Sequence, residues 1–342
     1  MLRALPIAEW LAAGTPMLDV RSPGEFARGH IPGAVHMPLF SDAERATVGT
    51  LYKQKGRDIA LLHGLRIVGP KLAALVEQAQ AVVPGGRVRV YCWRGGERSG
   101  SVAWLLDKAG FREVHTLKGG YKAFRRHVLE ALEQPPALRV LGGFTGSGKT
   151  ELLHHLCAAG APVIDLEALA HHKGSSFGML GEAPQPTQEH FENQLWQAAQ
   201  QAPADRPIWV EDESRKIGRV NLPAAWYAAM QRAPLVHVDV DQPDRVARLV
   251  QDYGHFPTDQ LAEAITRITK RLGPQHAKAA LEALHAGHLA TVVRITLTYY
   301  DKAYTHSTAQ RDPTRIEHVP MADDLAQMAL RLIHDHSTQP IP

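Results

Sequence analysis

The octapeptide Gly143-Phe144-Thr145-Gly146-Ser147-Gly148-Lys149-Thr150 limits what this chain can fold into more than any other stretch. It satisfies the pattern G-x4-G-K-[ST], which reads as a phosphate loop where a strand leads into it and a helix leaves it. Both flanks are present. Leu138–Leu141 is an apolar run of strand type, and Thr150–Ala159 has helical periodicity. Backbone N–H groups of Gly143, Thr145, Gly146, Ser147 and Gly148 would then surround a di- or triphosphate. Lys149 would neutralise the distal phosphate, and Thr150 would ligate Mg²⁺ where a metal is used.

The unit continues in the same style. Pro162–Ile164, Ile208–Val210 and Leu235–Val240 read as strands, with Thr187–Ala202 as a helix between them. Strands alternating with helices imply a parallel sheet covered on both faces. Ligands of such sheets lie outside the carboxyl ends of the strands, where Asp165–Gly178 and the acids Glu211, Asp212 and Glu213 should fall. Asp165 or any of those three acids would serve Mg²⁺ or substrate, and spacing does not choose among them. The adjacent His171 and His172 lack the i,i+4 spacing of a helical metal pair, so no metal site is assigned. After Asp241 the pattern becomes mainly helical, at Ile265–Leu272, Ala277–His285, Leu289–Tyr300 and Met321–His334.

Upstream, Pro135-Pro136 ends an amphipathic run, Tyr121–Leu132, because two prolines cannot continue a helix. The expected division is therefore 1–134, 138–240 and 241–342. In the first part Met17–Val20 and Val88–Tyr91 read as strands, and Leu72–Val82 and Val102–Ala109 as helices. Cys92 falls where a strand gives way to Trp93-Arg94-Gly95-Gly96-Glu97-Arg98 and then a helix. Gly95 and Gly96 permit a tight turn with successive N–H groups converging, and Arg94 and Arg98 add positive charge. A thiol so placed ionises readily and is nucleophilic. Cys157, within a helical run, reads as an inert core residue.

Composition narrows the class further. The formal charge of +3 is too mild to announce a nucleic-acid partner, but it is unevenly spread. Residues 1–136 hold 19 Lys+Arg against 12 Asp+Glu, while the rest is slightly acidic. Lys118, Lys122, Arg125 and Arg126 concentrate part of that excess. Two cysteines exclude a disulfide framework and a Cys-rich zinc site. No uninterrupted apolar run nears the ~20 residues that span a bilayer, and the N-terminus lacks a leader's apolar stretch. The expectation is a reduced, cytoplasmic protein with no membrane association and no tightly bound cofactor.

Asp19-Val20-Arg21-Ser22-Pro23-Gly24-Glu25-Phe26, with Cys92 and Leu117-Lys118-Gly119-Gly120-Tyr121, resembles the signature segments of rhodanese domains. The resemblance covers nearly all of residues 1–130 and implies that Cys92 is the nucleophile that carries sulfur or selenium. One departure is the longer Cys92-x5-Arg98 spacing, which is shared with rhodanese-like dual-specificity phosphatases. A wider loop suits a phosphate-like group, so a Cys-x5-Arg phosphatase or sulfurtransferase fused to a P-loop kinase or ATPase is the alternative reading.

Taken whole, the chain resembles the tRNA 2-selenouridine synthase family. The resemblance rests on Tyr91–Ser101, Gly143–Thr150, Asp165–Gly178, 210–218 and Leu297-Thr298-Tyr299-Tyr300-Asp301. It implies an α/β fold: a rhodanese-like parallel-sheet domain, then a P-loop α/β domain with a helical C-terminal part. It also implies a transferase that converts wobble 2-thiouridine of tRNA to 2-selenouridine. Geranyl diphosphate would alkylate the sulfur, and selenophosphate would supply selenium through an S-selanylcysteine at Cys92. The basic cluster, with Arg94 and Arg98, would meet tRNA, and the late helices the anticodon arm. Oligomeric state is left open.

Overall fold

The computed structural model describes residues 2–337. Of the expected stretches, residue 1 and residues 338–342 lie outside the described residues. The chain divides into two compact units, Met1–Ala131 and Leu132–Pro342.

The first unit is built on five parallel strands: β1 (Leu2–Leu5), β2 (Met17–Asp19), β3 (Val35–His36), β4 (Arg87–Tyr91) and β5 (Glu113–Leu117), in the order β1-β5-β4-β2-β3. The central position of β4 follows from its composition. Val88, Val90 and Tyr91 are wholly buried, and Val88 pairs with Val114 and Val90 with Leu18. Strands buried on both faces are typical of parallel sheets. Val102, Ala103 and Leu106 of helix Glu97–Lys108 close one face, and Leu75 and Ala79 of helix Leu72–Val82 join the same core.

Two helices here escaped the sequence reading, Asp42–Lys55 and Arg57–Val68, divided at Gly56 with φ of 89°. The first buries no residue, so it has no apolar stripe to betray it. Its start was nevertheless written in Ser41 and Glu44, which form a reciprocal capping box. Within the helical stretch Arg57–Val82 an 18-residue window has mean hydropathy 1.5, long and apolar enough by length and composition alone to cross a membrane. Polar residues punctuate the stretch, so it holds no long uninterrupted apolar run. It contains a 3-10 turn at Gly69–Lys71, around Pro70, and Ala60, Val68, Leu75 and Ala79 are set into the core.

In the second unit β6 (Leu138–Gly143), β7 (Val163–Ile164), β8 (Ile208–Glu211), β11 (Leu235–Asp239) and β12 (Ile316–Pro320) form a parallel sheet in the order β12-β11-β6-β8-β7. A short antiparallel pair, β9 (Lys216–Ile217) and β10 (Val220–Asn221), stands apart. The stretch 241–342 is mainly helical, but it also supplies β12 to this sheet. Met328, Ala329 and Leu332 of helix Leu325–Ser337 pack with Leu152, Leu153 and Leu156 of helix Lys149–Ala158. Arg311 ties the same stretch to the sheet, donating to Asp212 Oδ1 at 2.6 Å and to the Met230 carbonyl at 2.8 Å. Helix Leu289–Thr308 runs eight residues beyond the end expected at Tyr300, and this extension carries Asp301 and Tyr304.

Candidate functional site

In the first unit Cys92 follows β4 directly, at the carboxyl edge of the sheet. Its Sγ lies 3.2 Å from Ser99 Oγ, a hydroxyl that also reaches the Gly96 carbonyl at 3.3 Å. The loop is pressed against the segment after β5: Tyr121 N–H donates to the Cys92 carbonyl at 2.8 Å and Lys122 N–H to the Trp93 carbonyl at 3.0 Å. Two glycines make this approach feasible. Gly95 (φ 67°) and Gly120 (φ 60°) face each other so closely that a Cβ on Gly120 would strike Gly95 N and the Cys92 carbonyl. A Cβ on Gly95 would meet the Leu117 carbonyl. Gly96 is the residue before helix Glu97–Lys108, whose N-terminal dipole is directed at the loop.

Below the loop the Asp19-Val20-Arg21 signature forms a buried pair. Arg21 Nη2 donates to Asp19 Oδ2 at 2.6 Å, and the guanidinium carbon sits 3.8 Å from the Tyr121 ring centroid. Arg98 has a partner that the sequence did not suggest. Its guanidinium forks onto Glu25, at 2.6 Å and 3.1 Å. Burial alone would raise the Glu25 carboxyl, yet the Arg98 pair, the Ser22 N–H and Arg45 bring it down to about 2. Arg98 is thus held by a carboxylate, and phosphate hydrolysis through Cys92 would require it to leave Glu25.

Arg94, Lys118, Lys122 and Arg126 are exposed, and Arg125 is half-buried. Lys118 and Lys122 flank the turn that backs the Cys92 loop. Trp93 is half-buried, with its ring 5.7 Å from that of Tyr121. Cys157 does not sit in the core: it is exposed on helix Lys149–Ala158. The physical reason is phase. Leu152, Leu153 and Leu156 take the buried stripe and leave position 157 on the opposite side.

In the second unit the loop 143–150 leaves β6 and enters helix Lys149–Ala158 as the motif requires. Gly146 and Gly148 both have φ of 82°. Gly146 lies against Leu249, where an added Cβ would be 2.9 Å from Cγ. Ser147 Oγ is buried with no hydrogen-bond partner, as suits a hydroxyl meant for a phosphate oxygen. The loop forms one wall of a cleft of about 980 Å³ that also includes Glu167, Glu213, Arg248, Tyr300 and Tyr304.

Lys149 is buried in this cleft. Burial would lower its pKa, but Tyr304, Glu167, Glu213 and Glu211 outweigh that and raise it, so the ammonium stays charged. The four acids singled out in the sequence have different surroundings. Asp165 caps helix Leu166–Ala170 through Ala168 N–H and takes His154 Nε2 at 2.8 Å. Asp212 is engaged by Arg311. Glu211 accepts from Leu166 N–H at 3.0 Å, and its other oxygen has no partner. Burial, with Asp165 and Glu167 nearby, raises its carboxyl well above the ordinary range. Glu213 is likewise raised by burial and Glu167, against the pull of Lys149, and its Oε1 is also orphaned.

Sequence reasoning missed Glu167, whose Oε2 accepts from the Thr150 hydroxyl at 3.2 Å. A signal existed. Asp165 is of a type favoured at helix N-caps, which puts Glu167 in the first turn of the helix that follows. Orphaned oxygens on Glu211 and Glu213, with Glu167 on Thr150, are the donor set a hard divalent cation prefers. Elsewhere, His237, Asp239 and His318 bring potential metal-ligand atoms within 4.8 Å of one another, a group the sequence reading did not mark. Both His237 Nδ1 and His318 Nδ1 lie within hydrogen-bond distance of Asp239.

Comparison with known proteins gives two domain matches. Residues 6–127 match the rhodanese-like domain, and residues 136–332 match the tRNA 2-selenouridine synthase AAA domain. The tRNA 2-selenouridine synthase of Bordetella bronchiseptica is 41% identical over 331 residues, which cover 85% of this chain and 88% of that protein. Those of Shewanella woodyi and Cupriavidus pinatubonensis are 35% and 37% identical, and the chain covers 90% of each.

Proposed function

The chain belongs to the tRNA 2-selenouridine synthase family, and from that membership we propose that it replaces the sulfur of 2-thiouridine in tRNA with selenium in two stages, one in each unit. It is a transferase acting on tRNA. The reading places it in the cytoplasm.

The first stage belongs to the phosphate loop. The 2-thiouridine sulfur attacks C1 of geranyl diphosphate, the C1–O bond breaks, pyrophosphate leaves and the base loses its N3 proton. Ser147, Lys149 and the loop amides bind the diphosphate, and Lys149 offsets the charge that grows on the leaving oxygen. Thr150, Glu167 and Glu213 would hold Mg²⁺, which supplies further charge neutralisation when bound. S-alkylation turns the sulfur into a better leaving group than the thiocarbonyl it replaces.

The second stage belongs to Cys92. Selenium of selenophosphate adds at C2 of the alkylated base and geranylthiolate departs; water then takes the phosphoryl group, the Se–P bond breaks, and phosphate is released with selenium left on C2. That exchange is redox-neutral, because one nucleophile enters with its electron pair and another leaves with one. An S-selanylcysteine at Cys92 holds selenium two electrons above the selenide level of selenophosphate, so loading it needs a disulfide-type oxidant and releasing it needs a cellular thiol as reductant. Ser99 Oγ lies 3.2 Å from the Cys92 sulfur. Lys118, Lys122 and Arg126, exposed beside the loop, suit tRNA phosphates, and the anticodon arm is the segment whose wobble base is presented.

The observation that carries this reading is the joining, in one chain, of a thiol at a rhodanese-type strand end with a phosphate loop whose buried Ser147 hydroxyl is unpaired. It is tested by mass spectrometry of nucleosides from 2-thiouridine tRNA incubated with geranyl diphosphate and then selenophosphate. An S-geranyl nucleoside followed by a selenium-containing one is expected. Lys149-dependent ATP turnover with no geranylated nucleoside would overturn the reading.

A further inference from the structure

Beside the phosphate loop is a second, smaller cavity of about 50 Å³, between helices Gln242–Tyr253, Thr258–Leu272 and Leu289–Thr308. It shares Thr145, Ser175, Leu249, Tyr253 and Tyr300 with the large cleft, so the two meet at the loop. Its walls are Leu249, Val250, Leu289, Val292, Val293 and Leu297. Leu249 forms the threshold, packed against Gly146 of the loop itself.

Five hydroxyl side chains line this cavity: Thr145 stands at the loop end, and the other four are engaged. The Thr296 hydroxyl donates to the Val292 and Val293 carbonyls at 3.1 and 3.0 Å. Tyr300 Oη accepts from Ser176 N–H at 3.0 Å, Ser175 Oγ accepts from Phe177 N–H, and the Tyr253 hydroxyl pairs with Ser175. The tyrosines therefore present ring surface to the cavity. A nucleobase or ribose seated here would leave buried polar edges unpaired, which disfavours it. An apolar tail loses nothing.

We infer that this cavity receives the distal end of the hydrocarbon tail of an allylic diphosphate, and that Val293 and Leu297 set the tail length the protein accepts. The inference rests on the reading above, that the loop grips such a diphosphate. Size supports a short tail. A cavity needs roughly 10–15 Å³ to hold one water-sized group, so about 50 Å³ takes only a few such groups, on the scale of one isoprene unit. A ten-carbon tail would put its far unit in the cavity and keep C1 at the loop, where the sulfur attacks. A fifteen-carbon tail would overrun the cavity, and a five-carbon tail would not reach its floor.

The test uses the full chain and 2-thiouridine tRNA with dimethylallyl, geranyl and farnesyl diphosphate offered separately, scoring each S-alkyl nucleoside by mass spectrometry. The unsubstituted protein should favour geranyl over both others by about tenfold or more, the range that one or two methylenes command in an apolar pocket. Val293→Phe should lower the geranyl-to-dimethylallyl ratio by about tenfold. Val293→Ala should raise the farnesyl-to-geranyl ratio, and it keeps the inference testable if the larger side chain prevents folding. Alkylation that persists with all ratios unchanged in both variants overturns the inference and leaves the reading of the loop intact. Alkylation by none of the three donors overturns both.

Discussion

Glu25 and Arg98 come from segments 73 positions apart and meet in a two-pronged pair beside the Cys92 loop. Because the folded-state carboxyl is depressed to about 2, the pair's stability is fully present above the unfolded value near 4.5 and is lost as pH falls through about 2. The shift corresponds to up to about 3 kcal/mol. Glu25→Gln should destabilise the first unit at pH 7 by roughly 1–3 kcal/mol, read by urea unfolding, and by pH 3 that gap should shrink by more than half. The same substitution frees the Arg98 guanidinium. Single residues were read from the sequence with mixed success. The strand-end position of Cys92 was legible because an apolar run precedes it and a glycine turn follows it. Glu25 and Glu167 were not, since their partners, Arg98 and Thr150, are distant and a carboxylate's role depends on what folding brings to it. Cys157 was misjudged because helical periodicity was recognised without fixing which face is buried.

At the scale of elements, chain segments are constrained by what they touch. The turn Leu117–Tyr121 lies so close to the Cys92 loop that Gly120 has no room for a methyl group, and its φ of 60° disfavours one independently. Gly120→Ala should therefore push the two segments apart, lowering the thermal midpoint of the first unit and abolishing selenium transfer while S-alkylation continues. Arg311 binds the late part of the chain to β8's exit through Asp212, and both side chains are almost wholly buried. Arg311→Ala should cost about 3–5 kcal/mol in chemical denaturation, because it strands a buried carboxylate. Strand and helix positions were largely readable: β4, β6, β8 and β11 are short apolar runs bounded by polar or glycine-rich turns, and helices Leu72–Val82 and Pro274–His285 show their stripes. What escaped were elements with weak patterning. These include β12, half-exposed at the sheet edge, helix Asp42–Lys55 with nothing buried, and the last turns of Leu289–Thr308, whose Tyr304 lines a cleft and not a core.

At the scale of the whole molecule, Cys92 and the phosphate loop belong to two units that are each compact in their own right. On the proposed reading alkylation needs Lys149 in the second unit and selenium transfer needs Cys92 in the first, so the stages should be separable by substitution. The most direct measurement is nucleoside mass spectrometry on 2-thiouridine tRNA treated with Cys92→Ala or Lys149→Ala protein, supplied with geranyl diphosphate and selenophosphate together. Cys92→Ala should accumulate the S-geranyl nucleoside with no selenium product. Lys149→Ala should make neither from 2-thiouridine tRNA, yet should form the selenium product from tRNA already geranylated. Selenium incorporation by Cys92→Ala at the unsubstituted rate would contradict the account.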